Sequence, residues 1–224
     1  MAAACTKAKA ACVADNSGCD VDGYYFYDNH WNCGPQSGYT CGPESGYACA
    51  NSDGTTSFVV TSNQPAGNTA VLTYPAMQKN FSGKPPLSGF TSIVSTFSEQ
   101  GPGPVGDYEV AWDCWFNDYG NELMIWVDTY KQVPGGKKVA SAVPLGGHAW
   151  DVWDASSGGY LAFRSTATIT SGTIDLLEIF KYAVTNGWLP ASSTVTQLDF
   201  GVEVCSTDGK DATWTVDGYA LTAK

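Results

Sequence analysis

Two glutamates, Glu122 and Glu203, lie in short stretches whose side chains alternate in character. In Asn121-Glu122-Leu123-Met124-Ile125-Trp126-Val127, an extended chain puts Leu123, Ile125 and Val127 on one side and Glu122, Met124 and Trp126 on the other. In Leu198-Asp199-Phe200-Gly201-Val202-Glu203-Val204, the leucine, phenylalanine and valines share the core face, and Gly201 and Glu203 share the opposite one. Two carboxylates on non-core faces, one beside aromatic and thioether surface, fit the hydrolysis of a glycosidic bond. In its retaining form, one ionised carboxylate attacks the anomeric carbon and a protonated one hands a proton to the leaving oxygen, with the carboxyl groups about 5–5.5 Å apart. Asp113 belongs to a third such stretch, Val110-Ala-Trp-Asp-Cys-Trp115, where Ala111, Asp113 and Trp115 share a face and Val110 and Trp112 the other. An acid hydrogen-bonded to the nucleophile would fix its orientation and charge.

Simpler readings compete with each of these. A single glutamate on a strand is ordinarily just solvated, and it is the pair, with Trp126 beside one member, that raises the chemical reading. Most tryptophans of a small β domain belong in the core, and Trp112 and Trp188 are assigned there. His30 and His148 are too few and too isolated for a Ser-His-Asp triad.

Positioning these carboxylates requires a sheet. The chain has 224 residues with 25 Gly, 12 Tyr, 8 Trp and 9 Phe and only 15% charged residues, a composition that favours strands and turns. Short strand-like runs such as Ser57–Thr61, Ala70–Tyr74 and Phe90–Phe97 alternate with Gly, Pro, Asn and Ser clusters, as in a sandwich or jelly roll. The breaks at Gln100–Pro104 and Val133–Gly136 read as loops, because strand patterns resume directly after each. One helix is expected from Thr173 to Asn186, with Ile174, Leu177, Phe180, Ala183 and Val184 on one stripe, Thr173 as N-cap and Gly187 as the stop. A single domain over residues 1–224 is expected, with the cysteine-rich segment 1–50 integral to it.

The formal charge of −11 opposes nucleic acid and anionic membranes as partners but does not repel a neutral polysaccharide. No apolar run approaches the roughly 20 residues of a membrane helix. Met1-Ala-Ala-Ala4 is too short for a signal peptide, so the start reads as a mature or recombinant terminus. Six of the 8 cysteines fall within the first 49 residues, which points to disulfides, an oxidising compartment and secretion. Pairing between the set Cys5, Cys12, Cys19 and the set Cys33, Cys41, Cys49 would pin the N-terminal segment to the first strands, although about 15 connectivities are open to six cysteines. Structural zinc is disfavoured because no CxxC occurs and only His30 lies nearby. Neither a metal nor a cofactor is expected.

Glu122-Leu-Met-Ile-Trp126 resembles the nucleophile strand of glycoside hydrolase family 12, the endo-β-1,4-glucanases, and Phe200-Gly-Val-Glu203 resembles that family's acid/base strand. Asp113 matches the aspartate preceding the nucleophile strand, and Asn29-His-Trp31 matches part of the Asn-Asn-x-Trp-Gly segment lining distal glycone subsites. Tyr74-Pro75, Leu145-Gly-Gly-His-Ala-Trp150 and the single helix fall in the family's order. The chain departs from the pattern at Asp28, Asn32 and Cys205, in the short connection from Asp113 to Glu122, and in its cysteine-rich start.

The resemblance implies an all-β, two-sheet jelly roll with a concave substrate cleft. It further implies a retaining mechanism with Glu122 as nucleophile, Glu203 as acid/base and Asp113 in support. Asn29, Trp31, Trp115, Met124, Trp126, Pro134 and Trp150 would then bind substrate, with Pro134 in a loop crossing the cleft. The expectation is a secreted, monomeric endo-β-1,4-glucanase acting on cellulose, mixed-linkage β-glucan or xyloglucan. A clan-related xylanase and a non-catalytic carbohydrate-binding module or lectin are the rivals.

Overall fold

The computed structural model describes residues 5–155 and 159–224. Strands numbered along the chain form two sheets. The smaller runs β1 (Cys12–Ala14), β4 (Glu44–Ala50), β5 (Thr56–Ser62), β15 (Ala212–Ala223), β7 (Ile93–Gln100) and β13 (Ser171–Asp175). The larger runs β10 (Lys137–Leu145), β11 (His148–Asp154), β12 (Tyr160–Ser165), β9 (Asn121–Tyr130), β8 (Asp107–Phe116), β14 (Val195–Ser206), β6 (Ala76–Asn80), β3 (Tyr24–Tyr27) and β2 (Gly18–Val21). All neighbours pair antiparallel except β12 with β9, which are parallel. The expected two-sheet, all-β architecture is therefore present.

The alternation read from sequence sets which face is which. Leu123, Ile125 and Val127 of β9, Val110, Trp112 and Cys114 of β8, and Leu198, Phe200, Val202 and Val204 of β14 all enter the core between the sheets. Directly behind the carboxylate strands, Trp112 and Phe200 pack with ring centroids 4.4 Å apart, and Phe97 of the facing sheet meets them at 5.0 and 5.1 Å. Such aromatic contacts contribute about 0.5–1.5 kcal/mol each beyond area burial. The outer face of β8, β9 and β14 is thereby fixed in place from behind.

Gly201 serves a close approach. A Cβ there would lie 2.3 Å from the Pro75 carbonyl oxygen and 2.6 Å from the Ala76 Cβ, so any side chain would push β6 away from β14.

One helix, α1 (Leu176–Thr185), packs Leu176, Leu177, Ile179, Phe180 and Ala183 into the core, with Phe180 edge-on to Phe116 at 5.0 Å. It begins later than the stripe suggests. Thr173 belongs to β13, and the N-cap is Asp175, whose side chain accepts from the Glu178 N–H. Gly187 (φ 74°) follows its end as expected. The strand anticipated over Ala70–Tyr74 is only a bridge from Thr73 to Val204, its remaining polar groups being met by loop contacts such as Asn32 N–H to the Leu72 carbonyl.

The disulfides are Cys5–Cys49, Cys12–Cys19 and Cys33–Cys41. Only the first joins the two sets of cysteines; the others close short local loops. Cys114 and Cys205 are buried free thiols, Cys114 in the core between the sheets. Among the described residues no helix is long and apolar enough to cross a membrane.

Candidate active site

On the outer face of the larger sheet, a cavity of about 420 Å³ gathers side chains from both ends of the chain. Glu122, Asp113 and Trp115 come from β9 and β8, Asp199, Gln197 and Glu203 from β14, and Gln78 from β6. Asn29, Trp31, Val71, Tyr74 and Tyr119 close it from the loops. The register explains the convergence only in part. Glu122 pairs with Trp115 and Glu203 with Glu109, two positions well apart along β8, yet both carboxylates face the same cavity.

Several of the expected residues line the cavity. Trp31 is 65% exposed and presents its ring to the cavity beside Asn29. Trp115 donates from Nε1 to Asp113 Oδ2 at 2.8 Å, so it holds the aspartate as well as lining the cavity. Met124 and Trp126 do share the face of Glu122, but with Ala111 and Ala162 they form a buried cluster beneath it, joined by Trp126 Nε1 to Met124 Sδ at 3.4 Å. They are buried rather than an exposed platform, and neither lines the cavity. Pro134 is buried in the loop between β9 and β10 and does not line the cavity.

Trp150 is misplaced by the sequence reading. On β11 it alternates into the main core with Val152, fully buried, and its Nε1 donates to the Leu145 carbonyl. The tryptophan on the functional face is Trp153, which packs against the Met124/Trp126 cluster. Period-two counting along His148–Asp154 carries that signal; the position of Trp150 in a motif does not.

Three further groups were not singled out. Glu109 lies directly opposite Glu203 and is 1% exposed, its carboxyl oxygens buried without a hydrogen bond. Asp199 lies directly opposite Asp113 and is likewise buried. Tyr160 pairs with Glu122 across β12 and β9 and packs on the Met124/Trp126 cluster. Like charges opposed across strands repel, so each carboxyl pair is favoured when one member keeps its proton.

The electrostatics follow from burial without cations. Desolvation, then the charge of Glu203, pushes the Glu122 carboxyl up to about 7 from 4.5. Burial also raises Glu203, opposed by the neighbouring protonated Glu109 carboxyl. Asp113 is driven well above the usual carboxylate range by burial and then by Glu122, with the Trp115 hydrogen bond opposing. Burial and then Glu203 do the same to Glu109, leaving it a proton donor toward Glu203. The result is a site with carboxyl groups in both protonation states near neutral pH, as acid/base chemistry requires.

Several known proteins resemble this chain. Endoglucanase A of Aspergillus kawachii is 37% identical over 106 residues, 44% of this chain and 43% of that protein. The inactive glycoside hydrolase XLP1 of Phytophthora nicotianae is 29% identical over 109 residues, 46% and 44% of the two chains. The chain thus spans less than half the length of these two curated relatives. Two solved structures share the fold. The catalytic domain of Humicola grisea Cel12A, in complex with a thio-cellotetraose, superposes with TM-score 0.81 at 20% identity, covering 92% of this chain and 96% of that one. The xyloglucanase domain of NopAA from Sinorhizobium fredii, in complex with cellobiose, gives TM-score 0.79 at 23% identity, covering 96% and 99%. A sequence profile for the glycosyl hydrolase family 12 matches residues 22–224, and the chain belongs to that family.

Proposed function

We propose that this protein is a retaining endo-β-1,4-glucanase in which Glu122 is the nucleophile and Glu203 the acid/base. The observation that carries this reading is the pair itself: two glutamates of different strands line one cavity, and burial with the charge of Glu203 raises the proton affinity of Glu122. Ionised Glu122 attacks the anomeric carbon while Glu203 gives its proton to the departing oxygen. Glu203 then takes a proton from water as that water displaces Glu122. Asp113, held by Trp115 and kept protonated by burial and the charge of Glu122, supports the nucleophile as a neutral neighbour. Glu109, kept protonated by burial directly opposite Glu203, is the group placed to donate to its carboxylate.

The bound ligands of the Humicola and Sinorhizobium structures, a thio-cellotetraose and cellobiose, support a β-1,4-glucan as substrate. Trp31 offers an exposed ring on which a sugar stacks, while Asn29, Gln78 and Gln197 offer hydrogen bonds to hydroxyls. Met124 and Trp126 act as packed support for the strand that carries Glu122. Pro134 acts through its loop, since Gly135 next to it lies against Tyr160. Residues 1–224 work as one catalytic domain with the cysteine-rich start integral to it, monomeric and secreted, as the three disulfides support.

Because one relative is an inactive hydrolase, release of reducing ends is the test. Incubation with barley β-glucan or carboxymethylcellulose should generate reducing ends and lower viscosity early. Binding without either would leave a lectin-like role. The buried Glu122 also shifts the pH dependence. Sequence alone suggests an acid-leaning profile, but with Glu122 pushed up to about 7 the acid limb of kcat/KM is expected near neutral. An acid limb at the ordinary glutamate value of 4.5 would show that Glu122 does not control it.

A further inference from the structure

Outside the cavity, four side chains converge at the edge of the larger sheet. Asp15 lies in the turn between β1 and β2, Asp28 and His30 follow β3, and Glu44 opens β4. One ligand atom each from Asp15, Asp28 and His30 lies within 4.8 Å of the others. His30 Nε2 is 3.6 Å from Asp28 Oδ2 and 3.9 Å from Glu44 Oε1. Both gaps exceed hydrogen-bond length. They come close to the spacing of two ligands on one cation, since a tetrahedral ion with bonds of about 2.1 Å holds neighbouring donors about 3.4 Å apart.

The polar atoms here also lack other partners. The side chains of Asp28 and Glu44 are 0% exposed, and Asp28 Oδ1, Glu44 Oε1 and His30 Nε2 are buried without a hydrogen bond. The Asn16 N–H donates to Asp28 Oδ2, the oxygen nearer His30, while the Thr73 hydroxyl donates to Glu44 Oε2 and leaves Oε1 facing His30. Imidazole with carboxylates is a donor set for zinc or manganese rather than calcium, which takes oxygen ligands alone.

We propose that Asp15, Asp28 and His30 bind one divalent cation of the zinc type, with Glu44 lying against His30 beside them. The ion would tie the turn after β1, itself closed by Cys12–Cys19, to the segment leaving β3. Asn29 lies between two of the ligands and Trp31 follows directly, so the ion sets the base from which Trp31 reaches the cavity.

The test is isothermal titration of the chelator-treated full chain with zinc chloride at pH 7, accompanied by melting curves. One zinc per chain and a rise in Tm are expected, with affinity lowered at least about tenfold by Asp15→Asn and lost in His30→Gln. Asp15 is exposed, so its substitution leaves the fold intact, which circular dichroism verifies. The proposal is overturned if the native chain takes up no zinc, or if Asp15→Asn binds within twofold of the native affinity. Neither readout depends on glucan hydrolysis, so this outcome is separate from that of the catalytic assignment.

Discussion

Glu122→Gln is expected to lower turnover of barley β-glucan by at least about 10³-fold while making the protein more resistant to heat at pH 8. The amide matches the glutamate in shape but cannot form the covalent bond to the sugar. The stability gain follows from linkage. Glu122 holds its proton up to about 7 in the folded chain but only to about 4.5 when unfolded. Between those values the native state binds more protons, so its contribution is full below about pH 4.5 and is lost as pH rises through 7. Replacing the group with a neutral one removes that loss, and a shift of this size corresponds to roughly 3 kcal/mol, or about 5–10 °C in Tm for a chain of this length. A merely structural residue would lose activity and stability together. Retention of more than about a tenth of wild-type turnover would remove Glu122 from the nucleophile's role.

Glu203→Gln carries the second large effect. On glucan, where the departing hydroxyl needs a proton, the expected loss is about 10²–10⁴-fold. On an aryl glucoside whose phenol leaves as the anion, the first step no longer needs the acid, and the glycosyl-enzyme should form at close to the normal rate. Burst kinetics with such a substrate separate the two steps. Equal losses with both substrates in that first step would mean that Glu203 does not supply the proton.

The alternation of residues 121–127 and 198–204 made the faces of these two strands readable, because the period of two is imposed by backbone geometry whatever the partners. The same rule puts Glu109 on the face of Asp113 and Asp199 on the face of Glu203. What could not be read was that each would lie directly opposite another acid, since register depends on how β8 meets β14. Trp150 shows the cost of weighting motif order over periodicity: its strand turns Trp153, not Trp150, toward the functional face. Burial of Met124 and Trp126 depended on the neighbouring β12, whose Ala162 and Tyr160 cover them, and parallel pairing to β9 leaves no local trace in sequence. The cluster of Asp15, Asp28, His30 and Glu44 has no recognisable spacing because three separate elements bring it together. Cysteine pairing was open for the same reason.

The stereochemistry of the first product tests the central claim most directly. In a double displacement the sugar is inverted twice, so proton NMR recorded within minutes of adding enzyme to a cello-oligosaccharide should show the β-anomer first, with the α-anomer growing in later by mutarotation. Early appearance of the α-anomer would mean that water attacks directly and that Glu122 is not a nucleophile, and absence of any product would mean that the cavity binds glucan without cleaving it.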